Sequence, residues 1–379
     1  MKTPLAAVGM PLDEVDTPAL LLDLDAFEAN LRLMQQATAG LNVQVRPHAK
    51  THKCPTIALA QMAHGAVGVC CQKVSEAEAL VAGGVGDVLI SNEIVGAAKL
   101  ARVAALSRRT QLSICVDDPE QVSALDAAMH SANQDAAPAA NQKLDVLVEI
   151  DVGAKRCGVT PGDAAVRLAE LIGASRHLRL ASLQAYQGSA QHLRRVDERR
   201  AAIARAAELA SLTRERLRAA GIDCPKITGG GTGTFLFEAG SSVYDELQPG
   251  SYIFMDADYG ANDWGGAGPP RFAHSLFVWT TVMSCTRGVR AVVDAGLKSS
   301  SIDSGMPRVA AENRGEYTRA SDEHGVIELN GAADYALGEK LMLIPGHCDP
   351  TVNMHDHYIC IRNGRVEAIW PITARGCAW

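Results

Sequence analysis

Lys50 stands in the segment Val45-Arg46-Pro47-His48-Ala49-Lys50-Thr51-His52-Lys53, directly after the short alternating stretch from Leu41 to Val45. A primary amine attacks carbonyls once it is desolvated or set among other cations, and Arg46, His48, His52 and Lys53 crowd this one. The chemistry would be Schiff-base formation; a basic surface loop would have the same composition. A second set, Pro345-Gly346-His347-Cys348-Asp349-Pro350-Thr351, places an imidazole and a carboxylate two residues apart. On an extended segment both would point one way, with Cys348 pointing away. Such a pair suits Mn²⁺, Zn²⁺ or Mg²⁺ and leaves coordination positions open for water and substrate. A loop histidine beside a turn-capping aspartate is the alternative. The third set is Thr228-Gly229-Gly230-Gly231-Thr232-Gly233-Thr234, whose glycines let backbone N–H groups approach an anion closely. It matches neither a Walker loop nor Gly-x-Gly-x-x-Gly, and a flexible loop would read alike. Pro249-Gly250-Ser251-Tyr252 is a second small, turn-forming stretch nearby.

The elements that must position these groups alternate regularly. Strand-like runs fall at Val43–Arg46, Ala66–Cys71, Asp87–Ser91, Leu112–Val116, Asp145–Ile150, Leu178–Tyr186, Lys226–Thr228 and near Ser251–Asp256. Helical patterns lie between them at Asp25–Thr38, Pro55–His64, Ser75–Gly83, Val95–Leu106, Pro119–Ala132, Pro161–Ile172 and Leu193–Ala220. Asp118-Pro119 and Thr160-Pro161 are helix-start signals. Strands alternating with helices imply right-handed crossovers and a parallel sheet. About eight such units in roughly 230 residues favour a closed barrel, in which chemistry sits at the C-terminal ends of the strands. Lys50 is at one such end, and the glycine run is where barrels often hold a phosphate. The acidic, alanine-rich linker Ser131–Gln142 reads as an exposed helix end and loop.

Beyond about Gly260 the helical periodicity fades. β-rich runs follow at Phe277–Thr286, Val289–Val293, Val326–Leu329, Lys340–Ile344, His357–Arg362 and Arg365–Trp370, with Asn363-Gly364 as a hairpin turn. A chain of 379 residues, 47% hydrophobic, can bury a large core in one big and one smaller domain. A net charge of −7 without a dense basic stretch argues against nucleic acid, and no apolar run is long enough to span a membrane. Residues Met1 to Met10 lack the pattern of a secretory signal. Ten cysteines without a Cys-x-x-Cys pair read as small buried hydrophobes in a reducing cytoplasm.

Taken together, Arg46-Pro47-His48-x-Lys50, the segment Asp151-Val152-Gly153-Ala154-Lys155-Arg156-Cys157-Gly158, Gly230-Gly231-Thr232 and Pro345-Gly346-His347-Cys348-Asp349 resemble the fold-type III pyridoxal 5'-phosphate (PLP) enzymes. The particular resemblance is to the D-threonine aldolase and D-serine dehydratase-like family. It extends from Asp16-Thr17-Pro18-Ala19-Leu20 to Trp379. It implies an alanine-racemase-like (β/α)8 TIM barrel over residues 22–260, with residues 1–21 and 261–379 in a β-rich domain carrying the metal ligands, and a homodimer. By motif position Lys50, not Lys53, would hold PLP as a Schiff base. Gly231, Thr232, Gly250 and Ser251, with Tyr252 beside them, would hold the phosphate, and Arg156 and Tyr186 would face the ring. His347 and Asp349 would ligate a divalent metal, and His192 would be the general base. Gln72 and Lys73 point toward the same rim, and His324, in Ser321-Asp322-Glu323-His324-Gly325, resembles a family segment that approaches the metal or else forms a turn.

The metal pair bears on the reaction. D-serine dehydratases of the group carry His-x-Cys, whereas this chain carries the harder His-x-Asp, suited to Mn²⁺ first and to Mg²⁺, Co²⁺ or Zn²⁺ as alternatives. The resemblance therefore implies retro-aldol cleavage of D-threonine and other D-β-hydroxy-α-amino acids to glycine and an aldehyde. The competing reactions are D-serine or 3-hydroxyaspartate dehydration, giving a 2-oxo acid and ammonia, and cleavage of β-hydroxyaspartate to glycine and glyoxylate. A non-catalytic PLP carrier would lack the β-domain, and a barrel hydrolase would need more His or Asp ligands at strand ends.

Overall fold

The computed structural model describes residues 5–134, 143–266, 270–311, 314–331 and 334–379. Strand β1 (Ala19–Asp23) runs without a loop into helix α1 (Leu24–Thr38). Asp23 ends the strand and caps the helix, its carboxylate accepting from the Ala26 N–H at 3.0 Å. The helix buries Leu24, Phe27, Leu31 and Met34, the three-and-four spacing of one apolar face.

Alternation then sets in: β2 (Gln44–Val45), α2 (Pro55–Ala63), β3 (Val69–Cys71), α3 (Val74–Ala82), β4 (Asp87–Glu93), α4 (Ala97–Ser107), β5 (Gln111–Val116), α5 (Pro119–Gln134), β6 (Leu144–Glu149), α6 (Asp163–Ala174), β7 (Leu178–Gln184), α7 (Val196–Ala219), β8 (Ile227–Gly229), α8 (Phe235–Gly240) and β9 (Glu246–Leu247). These strands form a parallel eight-stranded sheet in the order β2-β9-β8-β7-β6-β5-β4-β3. Its two ends meet at a parallel bridge between His48 and Cys70. Across that seam the Ala49 N–H donates to the Cys70 carbonyl at 2.7 Å, and the Cys70 N–H to Pro47 at 2.9 Å. The barrel therefore closes immediately before Lys50.

Inside the barrel, Cys70, Leu89, Cys115 and Leu147 pack with Ala181 as one layer drawn from β3 to β7. The eighth strand differs from the sequence expectation. It is Glu246–Leu247, paired with both β8 and β2, and not the stretch near Ser251–Asp256. Pro249 has no N–H for a ladder, so the strand stops there. Ser251–Ile253 is instead a single 3₁₀ turn, and Ala257–Gly260 forms a short helix, α9. The apolar run is buried all the same. The Asn30 side chain, itself buried, donates to Ile253 and Ala273 carbonyls at 3.1 and 2.8 Å and clamps the turn onto α1.

The remaining strands are β10 (Leu276–Thr286), β11 (Arg290–Val293), β12 (Arg308–Val309), β13 (Gly315–Ala320), β14 (Gly325–Leu329), β15 (Lys340–Ile344), β16 (His357–Arg362) and β17 (Arg365–Pro371), with helix α10 (Cys348–Val352) between the last two pairs. They form a nine-stranded sheet in which β1 lies between β10, antiparallel, and β16, parallel. β12 and β13 escape a reading by apolar pattern because one is two residues long and the other, Gly-Glu-Tyr-Thr-Arg-Ala, buries only Tyr317. Helix α5 ends at Gln134, so most of the expected linker Ser131–Gln142 lies outside the described residues. No helix among the described residues is long and apolar enough to cross a membrane. All ten cysteines are unpaired, and seven are buried.

Candidate active site

A cavity of about 240 Å³ opens at the C-terminal ends of the barrel strands. Lys50, Arg156, Tyr186, Gly231, Thr232, Gly250 and Ser251 line it, together with His48, Thr51, Gln72 and Tyr259. The barrel thus gathers into one cavity residues as far apart in the chain as His48 and Tyr259. Lys73 and Tyr252 are not among the lining residues. The Tyr252 N–H donates to Thr232 Oγ1 at 3.1 Å, and its buried hydroxyl accepts from Gln61 Nε2 at 3.2 Å.

The surroundings of Lys50 correct one expectation. The neighbouring basic residues do not crowd it with positive charge. Arg46 turns into the barrel interior, where its guanidinium meets Glu246 at 2.9 Å and Asp87 at 2.6 Å. His48 and His52 are buried, and burial above all pushes both imidazoles toward the neutral form, His52 to about 3. Lys53, held at a positive φ of 51°, pairs with Glu76. Lys50 itself donates to Asp349 Oδ2. Burial disfavours its ammonium, yet the Asp349 carboxylate outweighs burial and holds the amine's pKa above its ordinary range.

His347 and Asp349 are brought together by a different local geometry from the extended one. His347 is extended, but Asp349 lies in the first turn of α10, and its Oδ1 stands 3.8 Å from His347 Nε2. His347 Nδ1–H donates to Asp256 Oδ2 at 2.7 Å. Burial works against protonation of His347, but Asp256 and Asp349 prevail and raise it to about 9. With Nδ1 engaged, Nε2 is the nitrogen left for a ligand. Asp349 Oδ1 is a buried carboxylate oxygen without a hydrogen-bond partner, and Cys348 between the two is fully buried. A donor set of one imidazole nitrogen beside one orphaned carboxylate oxygen fits a divalent cation, and the Asp–His pair behind it is the usual support for a metal-bound histidine.

The glycine-lined end of the cavity fits an anion. A Cβ on Gly231 would lie 2.5 Å from Gln191 Oε1, and one on Gly250 would lie 2.5 Å from Thr51 Oγ1. Neither position has room for a side chain, which keeps the backbone bare toward the cavity. Thr51 Oγ1 is buried without a partner. Arg156, also lining the cavity, lies over the Tyr186 ring, 5.7 Å from its centroid. Behind Arg156, one ligand atom each from Glu93, Asp117 and Cys157 lies within 4.8 Å of the others. Glu149 adjoins them, and burial first and Glu93 second raise its carboxyl to about 9.

His192 ends a 3₁₀ turn (Gly188–His192) ahead of α7. Its Nδ1–H donates to Asp258 Oδ2 at 2.7 Å, and its ring packs on Tyr259 with centroids 5.9 Å apart. Asp258 also binds Arg194; these partners overcome burial and lower its carboxyl to about 2. His324 is exposed in the turn between β13 and β14. Asp256, Asp258 and Tyr259 were missed by the sequence reading. Their signal was position: a stretch placed as the last barrel strand should carry chemistry just past its end.

The alanine racemase N-terminal domain model matches residues 22–258, and the putative serine dehydratase domain model matches residues 275–361. A D-threonine aldolase of Arthrobacter sp. is 49% identical over 98% of this chain and 96% of its own. A 3-hydroxy-D-aspartate aldolase of Paracoccus denitrificans (strain Pd 1222) is 43% identical over 98% and 95%. A D-threo-3-hydroxyaspartate dehydratase of Delftia sp. (strain HT23) is more distant, at 30% over 89% and 92%. The crystal structure of D-threonine aldolase from Filomicrobium marinum superposes with a TM-score of 0.95 at 51% identity, covering all of both chains. The likeness runs through barrel and β-sheet alike and is greater to these aldolases than to the dehydratase: the chain belongs to the D-threonine aldolase family, built on the alanine racemase N-terminal barrel.

Proposed function

We propose that this protein cleaves D-threonine and other D-β-hydroxy-α-amino acids to glycine and an aldehyde, using PLP and a divalent metal, with Mn²⁺ first. One observation carries the reading: Lys50 touches Asp349, so the cavity that holds the amine and the phosphate cradle adjoins the His347–Asp349 pair. When bound, PLP supplies an electron sink for the Cα–Cβ bond and the cation supplies Lewis acidity at the β-oxygen. Lys50 would carry the cofactor. Gly231, Thr232, Gly250 and Ser251 would hold its phosphate, with Tyr252 packing behind them, and Arg156 and Tyr186 would border its ring. His347 and Asp349 would hold the cation, and His192 would take the β-hydroxyl proton at Nε2, its other nitrogen being tied to Asp258. The His-x-Asp pair and the greater identity to aldolases than to dehydratases favour bond cleavage over loss of the hydroxyl. We also infer a homodimer, which sedimentation would check, and a reducing, cytoplasmic compartment, with which the free cysteines accord.

The test is product analysis on D-threonine with Mn²⁺ and then with a chelator. Glycine and acetaldehyde are expected, and their formation should stop on chelation. Appearance of 2-oxobutyrate and ammonia would make the protein a dehydratase. In parallel, Lys50→Ala should abolish the visible cofactor band, and activity retained without that band would exclude the PLP reading.

A further inference from the structure

His192 and His347 are both held at Nδ1 by carboxylates from a single short segment. Asp256 and Asp258 stand 2.7 Å from His347 and His192 respectively. Between the imidazoles lies Tyr259, with ring centroids 5.9 Å from His192 and 6.3 Å from His347. The segment is itself pinned to the strand end that carries His347: Ala257 and Asp258 N–H groups donate to Pro345 and Gly346 carbonyls at 3.0 and 3.1 Å. Asp256 accepts additionally from the Cys348 and Tyr259 N–H groups at 3.0 and 2.9 Å. On the other side Arg194 binds Asp258 Oδ1, the Asp258 carbonyl at 2.6 Å and Asn262 Oδ1 at 2.8 Å. Asp258 is 6% exposed, so water does not compete for its second oxygen.

A carboxylate accepts hydrogen bonds, so the His192 nitrogen facing it must carry the proton. In the neutral ring the other nitrogen, Nε2, then carries the lone pair, the form a base requires. We propose that Asp258 is a positioning residue for the reaction: it fixes His192 as the Nδ1–H tautomer and, through the segment it shares with Asp256, sets the base at a constant separation from the metal histidine. This rests on the reading of His192 as the base.

Asn at position 258 exposes the logic. Arg194 offers only donors and would retain the amide oxygen, so the amide NH₂ would face His192. The imidazole would then accept at Nδ1 and carry its proton on Nε2, in the wrong place to receive another. In the PLP- and Mn²⁺-loaded enzyme, Asp258→Asn should lower kcat on D-threonine by about 10²-fold or more, as tautomer-inverting changes do elsewhere. KM, the cofactor band and the melting temperature should stay near wild type. ¹⁵N spectra of histidine-labelled protein, with His192 assigned by its loss in His192→Ala, should show the proton moving from Nδ1 to Nε2. In the His192→Ala background, Asp258→Asn should have no further effect on kcat, whereas a merely structural aspartate would lower it again.

The outcomes separate the two readings. Wild-type kcat in His192→Ala would remove the base assignment and this inference with it. Loss of activity in His192→Ala with wild-type kcat in Asp258→Asn would overturn the positioning role alone, as would an unchanged tautomer. Should Asp258→Asn not fold, Asp258→Glu carries the test. The anion is kept but moved by one methylene, so the tautomer should persist while kcat falls about tenfold at unchanged KM; unchanged kcat would overturn the proposal.

Discussion

Asp256 shows what a single buried carboxylate contributes to a neighbour's chemistry. It is fully buried and accepts from His347 Nδ1–H, which fixes the ring and directs Nε2 toward Asp349. Asp256→Asn should therefore weaken Mn²⁺ affinity by about 10- to 100-fold while leaving the cofactor band in place. Metal titration of activity, read beside the absorbance, checks this; unchanged affinity would mean that His347 is oriented by other contacts. Glu149 makes a different prediction. Burial and then Glu93 raise its carboxyl to about 9, so the native state binds a proton that the unfolded chain has released by about pH 5. The native state thus holds more protons between those limits, and stability falls as pH rises through them. Glu149→Gln should cancel this loss, so that its stability relative to wild type rises steadily from pH 6 to pH 9 in urea titrations. Parallel curves would show that the pair is ionised in the native state. At this scale the motifs marked residues that the fold does bring together, Lys50 against Asp349 and Asp349 beside His347. Asp256 and Asp258 were not so marked, because an aspartate's partner is set by tertiary placement and nothing local marks it.

Elements explain why Arg46 is not part of the reactive set despite standing four residues from Lys50. Side chains alternate along β2 and its extension, so Arg46 enters the barrel interior. There it links Asp87 at the start of β4 to Glu246 at the start of β9, and Thr228 from β8 donates to the same Glu246 oxygen at 3.0 Å. The arginine thus ties the bottom of the barrel beneath the seam that β2 and β3 close. Arg46→Met would leave the buried Glu246 and the half-buried Asp87 without a cation. It should cost about 3–5 kcal/mol in urea unfolding, with part of that recovered by adding Glu246→Gln. A loss under 1 kcal/mol would mean that water already reaches the pair. The helices and the inner strands were legible within a few residues because burial on both faces writes continuous apolar runs. The eighth strand was misplaced because Tyr252-Ile253-Phe254-Met255 is as apolar as a strand, and only Pro249 and Gly250 betray that the ladder has ended.

The whole molecule is organised around β1. Its first residues belong to the C-terminal sheet, yet its alternating side chains supply two cores: Leu20 and Leu22 join the large one around the barrel, while Ala19 and Leu21 join Trp279, Ile359, Ile361 and Val366. Asp23 then starts α1, whose Asn30 grips the turn behind the phosphate cradle. A continuous stretch of chain thus connects the β-sheet that presents His347 to the barrel that presents Lys50. The sequence division into two textures was legible, but this interlocking was not, since a five-residue apolar run carries no mark of its partners. The consequence is a single cooperative unit. Leu21→Ala, although outside the barrel core, should cost about 2–4 kcal/mol. It should shift tryptophan fluorescence and the cofactor band to lower urea together, with coincident midpoints. Were the cofactor band to outlast the fluorescence change, the barrel would be holding its site without the β-sheet, and β1 would be a tether, not the strut that sets one half of the active site against the other.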